Sequence, residues 1–198
     1  LHVRSRRQRQ MCIRDRHAIG AVVAAVLQHD VPCILVDDGS SPACARVLDE
    51  LVASASEKIM LVRHPENRGK GAAVLSGFSY AHAAGYTHAL QIDADGQHRV
   101  EDIPQFLQTA AQHEDAVIAG YPIYDETVPA IRLYARYLTH VWVWINTLSL
   151  EIRDSMCGFR VYPLAPVMQL IARQKVGLRM DFDLSLIHIS EPTRLRRI

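Results

Sequence analysis

The chain has 198 residues, 49% of them apolar, and 22 basic side chains against 21 acidic ones, for a formal net charge of +1. That length supports one domain with a real core but is short for two, and the near-neutral balance lacks the broad basic surface of a nucleic-acid binder. Four cysteines, none in a C-x-x-C pair and none with histidine at ligand spacing, point to neither a zinc site nor a disulfide framework.

The chain carries "RSRRQRQMCIRDR" at residues 4–16 and finishes with "SLIHISEPTRLRRI". Neither has a helical or strand period, and each joins its neighbour abruptly. Residues 1–16 hold six Arg against one Asp and residues 186–198 three Arg against one Glu, so the basic charge is terminal and the middle is acidic. Both ends resemble translated sequencing-adapter read-through. Residues 1–16 and 185–198 are therefore expected to be non-native segments around a domain at 17–184.

Inside that domain, "AIGAVVAAVLQHD" (18–30) predicts a helix that stops before Pro32. "VPCILVDDGSS" (31–41) predicts a strand closing in a tight turn, because a β-branched run ends in acid, acid, glycine and serine. Ser41 as N-cap and Pro42 at the first position open a helix over 42–55. A strand follows at 58–64, a loop "ENRGKG" at 66–71, and a helix over 72–85 stopped by Gly85. "THALQID" (87–93) predicts a strand, 100–113 a helix and 115–120 a strand. Strictly alternating helices and strands imply an α/β sandwich with a mostly parallel sheet. After Tyr121 the alternation gives way to an aromatic-rich helical stretch, 128–150, then a turn and strand at 154–163 and a helix at 164–174.

Two strands end in paired carboxylates: Asp37 and Asp38 in "ILVDDGS", Asp93 and Asp95 in "LQIDADGQH". In open α/β sheets ligands bind beyond the carboxyl ends of the strands. Two acidic clusters on one edge repel, so a cation or ligand donors must offset the cost. Three chemistries use such a pattern. An aspartyl-phosphate phosphohydrolase makes the first Asp of D-x-D its nucleophile, but it asks for Thr or Val shortly beyond the second Asp, where this chain has His98. A phosphoacceptor receiver needs a lysine on a later strand, and the only Lys after residue 70 is Lys175, in the last predicted helix. A nucleotide-sugar transferase uses D-x-D to hold Mg²⁺ or Mn²⁺ on the donor diphosphate, a hard cation on hard oxygens.

Taken in order, "ILVDDGSS", "HPENRGKGAAVLSGF", "QIDADGQHRVEDI", "DSMCGFRVYP" and "GLRMDFD" resemble family 2 glycosyltransferases of the GT-A fold, in the polyprenol-phosphate or dolichol-phosphate mannosyltransferase-like branch. The resemblance covers about residues 17–184. It implies a Rossmann-like nucleotide-diphospho-sugar transferase that moves a sugar from a UDP or GDP donor to a lipid-phosphate or glycan acceptor. The reaction would invert the anomeric carbon with metal assistance, in the cytoplasm and at the cytoplasmic face of the membrane. It assigns Asp37, Asp38, Gly69, Gly71 and Asp93 to the nucleotide-sugar, and Asp93 and Asp95 to the metal. Gln97, His98, Arg132, Arg136 and Arg160 go to acceptor or phosphate, and Asp154 to general base, with Asp95 also catalytic. Asp181 and Asp183 form a further acidic pair, read as helix capping. Two departures stand out. The family's first apolar strand, ending in Pro-x-Tyr-Asn, is replaced by the Arg-rich segment, so the polypeptide is expected to be an incomplete fragment; "GYP" follows where an Arg is common after Gly120, which leaves the sugar and the acceptor open. The alternatives are the D-x-D phosphohydrolase and a non-catalytic nucleotide-binding fragment.

Overall fold

The computed structural model describes residues 18–120, 157–174, 177, 182 and 195–197. The predicted helix over 128–150, with Arg132 and Arg136, lies outside the described residues, as do Asp154, Asp181 and Asp183.

Helix α1 spans 18–27 and stops in a turn at Asp30, which takes a positive φ of 55° two residues before Pro32. Strand β1 is Cys33–Asp38, and helix α2, Pro42–Ser54, starts where predicted: the Ser41 hydroxyl accepts the Cys44 amide and Pro42 sits in the first turn. Strand β2 is Ile59–His64 and helix α3 is Lys70–Ala83, two residues earlier than the sequence suggests. Strand β3, His88–Gln91, is followed by the D-x-D loop, a short 3₁₀ turn at Val100–Asp102 and helix α4, Ile103–Gln112, whose first turn holds Pro104. Strands β4 (Val117–Ala119) and β5 (Arg160–Pro163), helix α5 (Leu164–Arg173) and strand β6 (Leu195–Arg197) complete the described elements.

The strands form two sheets. β1 and β2 pair in parallel, with Asp37 opposite Arg63 and Asp38 opposite His64. The other sheet runs in the order β3, β5, β4, β6. β5 is antiparallel to both β3 and β4, and β4 is parallel to β6. The α/β architecture is the one expected. Among the described residues the antiparallel pairings come only through β5, the strand after the point where helix and strand stop alternating.

Helices cover both faces of β1 and β3. Leu35 of β1 packs with Val23 of α1, whereas its neighbour Ile34 packs with Phe78 and Ala81 of α3. In β3, Leu90 joins Val22 and Val26 of α1, and Ala89 joins the α3 side. Because successive strand residues point to opposite faces, α1 and α3 lie on opposite sides of both strands. This two-sided cover explains why the strands read as continuous apolar runs. The core under α4 contains Ile103, Phe106, Ile118 and Val161, each at most 2% exposed. Burial of each such side chain contributes about 2 kcal/mol.

Candidate active site

The acid-tipped ends of β1 and β3 meet along the loop between β2 and α3, and the two pairs are held differently. Asp37 is 3% exposed and committed to its own chain. Its Oδ1 accepts the Ser40 amide at 2.9 Å, and its Oδ2 takes the Arg63 Nε at 2.7 Å. Burial works against ionisation there, but the Ser40 and Arg63 donors outweigh it and hold the carboxyl below its usual range. Arg63 also binds Asp49 of α2 at 2.9 Å, so this acid ties β1, β2 and α2 together.

Asp38 organises the neighbouring loop. Its Oδ1 accepts the Arg68 amide and its Oδ2 the Gly69 amide, at 2.9 and 2.8 Å. Asn67 donates to its backbone carbonyl. The His64 Nδ1 lies 2.7 Å from Oδ1, and the other ring nitrogen is 2.9 Å from the Ser76 hydroxyl of α3. Burial raises the Asp38 pKa, but the amides and His64 outweigh it and the carboxyl falls below its ordinary value. Gly39 shows why the motif needs glycine after the acids: φ is +69°, and a Cβ would stand 2.5 Å from the Asn67 nitrogen. Gly69, with φ of 101°, caps α3 without a side-chain bond, and Gly71 is buried in its first turn.

Asp93 and Asp95 face a more open setting. Asp93 Oδ2 is 3.0 Å from the Lys70 ammonium and 3.9 Å from His98 Nε2. Burial opposes its ionisation, yet His98 and the Lys70 charge prevail and lower its pKa to about 2. Asp95 is exposed, and its Oδ1 accepts the Gln97 amide at 3.0 Å, which curls the loop. His98 stacks on Phe159, ring centres 5.5 Å apart. Arg160 is 1% exposed within β5, with one guanidinium nitrogen 3.3 Å from the Tyr162 hydroxyl. Any side chain at position 158 would run into the Asp93 carboxylate, so Gly158 of "CGFR" makes room for that acid.

The structure thus gathers Asp38, Gly69, Asp93, Asp95 and His98 at one sheet edge, with Gln97 in the same loop, and sets Asp37 and Arg160 into the interior. Lys70, His64 and Gly158 belong to the site and were not singled out from sequence. "RGKG" was the visible signal for Lys70, while the other two depend on contacts far apart in the chain. Among the described residues no group of three His, Cys, Asp or Glu side chains could hold a metal ion. The donor set nevertheless suits a hard cation shared with a ligand, since Mg²⁺ is commonly held by one or two carboxylates plus phosphate oxygens.

A family model for "Glycosyl transferase family 2" matches residues 11–176. The chain belongs to glycosyltransferase family 2. It is 29% identical to the polyprenol monophosphomannose synthase of Mycolicibacterium smegmatis, over 67% of this chain and 51% of that protein. It is also 29% identical to the dolichyl-phosphate beta-glucosyltransferase of Drosophila melanogaster, over 82% of this chain and 52% of the relative. An uncharacterised protein of Methanocaldococcus jannaschii is 30% identical over 66% of this chain and 59% of its own length. The chain spans little more than half the length of these curated relatives. Family membership favours the transferase among the chemistries that the D-x-D pattern left open. Among the described residues, no helix is long and apolar enough to cross a membrane.

Proposed function

We propose that this glycosyltransferase domain serves transfer of a sugar from a nucleotide-diphosphate donor to a polyprenol-phosphate acceptor. The observation that carries the reading is the meeting of Asp38, Lys70, Asp93 and Asp95 at the carboxyl edge of β1 and β3. The names of the relatives, which act on polyprenyl or dolichyl phosphates, support the acceptor class.

In this reading Asp93 and Asp95 face the donor diphosphate and would hold Mg²⁺ or Mn²⁺ beside it. That ion would neutralise charge building on the leaving nucleoside diphosphate. Lys70 supplies a second positive charge beside Asp93, on a flexible stem that can follow the phosphates. Asp38 fixes the 67–69 loop against which the nucleotide lies. Gln97 and His98 extend toward the acceptor, and the Phe159 contact holds the His98 ring in place. Attack on the anomeric carbon by an acceptor phosphate, with inversion, needs no general base because the nucleophile is already anionic. Asp154 would be needed as a base only for a hydroxyl acceptor.

Binding to UDP-, GDP- and CDP-sugars, followed by thermal shift with and without Mn²⁺, tests the donor. One nucleotide should stabilise the protein only with metal. Asp95→Ala should remove that shift while changing stability by less than about 0.5 kcal/mol, as for other exposed sites. An unchanged metal-dependent shift in Asp95→Ala would sink the proposal.

A further inference from the structure

His64, the last residue of β2, is 6% exposed, and a buried imidazole is costly unless both ring nitrogens find partners. Both do, and the partners belong to different elements. Nδ1 lies 2.7 Å from Asp38 Oδ1, directly across the parallel pair of β1 and β2. Nε2 lies 2.9 Å from the Ser76 hydroxyl, in the second turn of α3. The Asp38 carboxyl is held below its ordinary value, so it is an ionised group that can only accept. The proton in that contact therefore sits on Nδ1, and His64 donates.

The Arg68 amide on Oδ1 and the Gly69 amide on Oδ2 belong to the loop that the acid holds, so they follow the carboxylate wherever it turns. Among the described residues, His64 is the side chain that joins the same carboxylate to the neighbouring strand. Its other nitrogen reaches α3 beyond the loop. The loop and the helix it leads into are thus both referred to one ring in β2. Lys70, the first residue of α3, stands between these two points and carries its ammonium to 3.0 Å from Asp93. Serine, histidine and aspartate are also the parts of a hydrolytic triad, in which the hydroxyl faces a substrate. Here Ala73, Val74 and Gly77 of α3 line a cavity of about 500 Å³ beside β1 and β3, while Ser76 turns to His64 and serves the ring.

We infer that His64 is a positioning residue of the loop 66–69: by donating to Asp38 and engaging Ser76 it fixes the rotation of the carboxylate, and with it where the Lys70 ammonium stands beside Asp93. That Lys70 there meets a donor diphosphate rests on the transferase reading; the anchoring itself does not. Asparagine can replace the first contact, because its amide nitrogen stands the same number of bonds from Cβ as Nδ1 of the imidazole. Glutamine carries its amide one bond further, at the level of Nε2, and keeps only the Ser76 contact.

Imidazole nitrogen NMR spectra of the unaltered protein are the first test. Nδ1 of His64 should carry a proton; a bare Nδ1 would overturn the inference, and this readout needs no variant to fold. Amide hydrogen exchange then follows the loop. Arg68 and Gly69 should exchange about 10-fold faster in His64→Gln and His64→Ala, and within about 3-fold of the unaltered rate in His64→Asn. Equal acceleration in the Asn and Gln variants would show that the bulk of the ring matters and not its bond to Asp38, which overturns the inference; unchanged rates in all three would do the same. Titration with UDP and with GDP, each with Mn²⁺, reads the consequence for Lys70. The nucleotide that binds the unaltered protein should bind His64→Gln about 10-fold more weakly and His64→Asn nearly unchanged, as for loss of one charge-assisted hydrogen bond. Full affinity in the Gln variant, with its loop amides accelerated, would sever Lys70 from the loop and sink the inference. Binding of neither nucleotide to the unaltered protein would count against the donor reading alone, and the spectra and exchange rates would still decide the role of His64.

Discussion

The ends of β1 and β3 look alike in sequence, each an apolar strand closing in two carboxylates and a glycine, but they serve different tasks. At the end of β1, both acids are bound by the chain's own donors: Arg63 and Ser40 on Asp37, His64 and two loop amides on Asp38. After β3, Asp93 meets a lysine on a flexible stem and a histidine at 3.9 Å, and Asp95 is exposed. A carboxylate whose lone pairs are filled by fixed donors builds structure, and one held by displaceable partners can exchange them for a ligand.

Changes at the two glycines should separate the ends most sharply. Gly39→Ala places a Cβ against the Asn67 and Glu66 backbone at positive φ and should cost about 4 kcal/mol in denaturant unfolding. Asp38→Ala removes the partner of His64 Nδ1 and of the Arg68 and Gly69 amides, and about 3 kcal/mol should be lost. Gly96→Ala shares the positive φ, at 73°, but meets only the Ala18 side chain at 3.7 Å, so about 1 kcal/mol is expected. Equal losses at Gly39 and Gly96 would erase the distinction.

A pH titration gives the smallest effect. The folded pKa of Asp93 is about 2, below the ordinary carboxylate value of 3.8. Its contribution is thus complete above the unfolded pKa and is lost as pH falls from about 4 through 2. With the Asp93 side chain 34% exposed, screening reduces this to about 1 kcal/mol. Asp93→Asn should flatten unfolding free energy in that window. A slope matching the unaltered protein would show that Lys70 and His98 do not stabilise the ionised acid.

The alternation of elements was legible because apolar period and capping residues are local: Ser41, Pro42 and Gly85 mark their boundaries without reference to anything distant. The acid pairs were legible as chemistry at strand ends. Their division of labour was not, because Arg63, His64, Gly69 and Lys70 reach their partners across 23 to 31 residues of chain. The direction of β5 was equally hidden, since a four-residue strand carries no sign of which way it pairs. "CGFR" drew notice for its arginine, yet Arg160 is buried in the strand and the adjacent Gly158 leaves space for Asp93.

The grip of Asp38 on the Arg68 and Gly69 amides has a further consequence. A helix start attracts anions through its unpaired amides, and α3 already carries a resident anion of its own, covalently anchored on β1. This internal carboxylate occupies the amides just ahead of the helix. A phosphate approaching α3 therefore finds the Arg68 and Gly69 amides already taken, and meets the Lys70 side chain, paired with Asp93, on that flank.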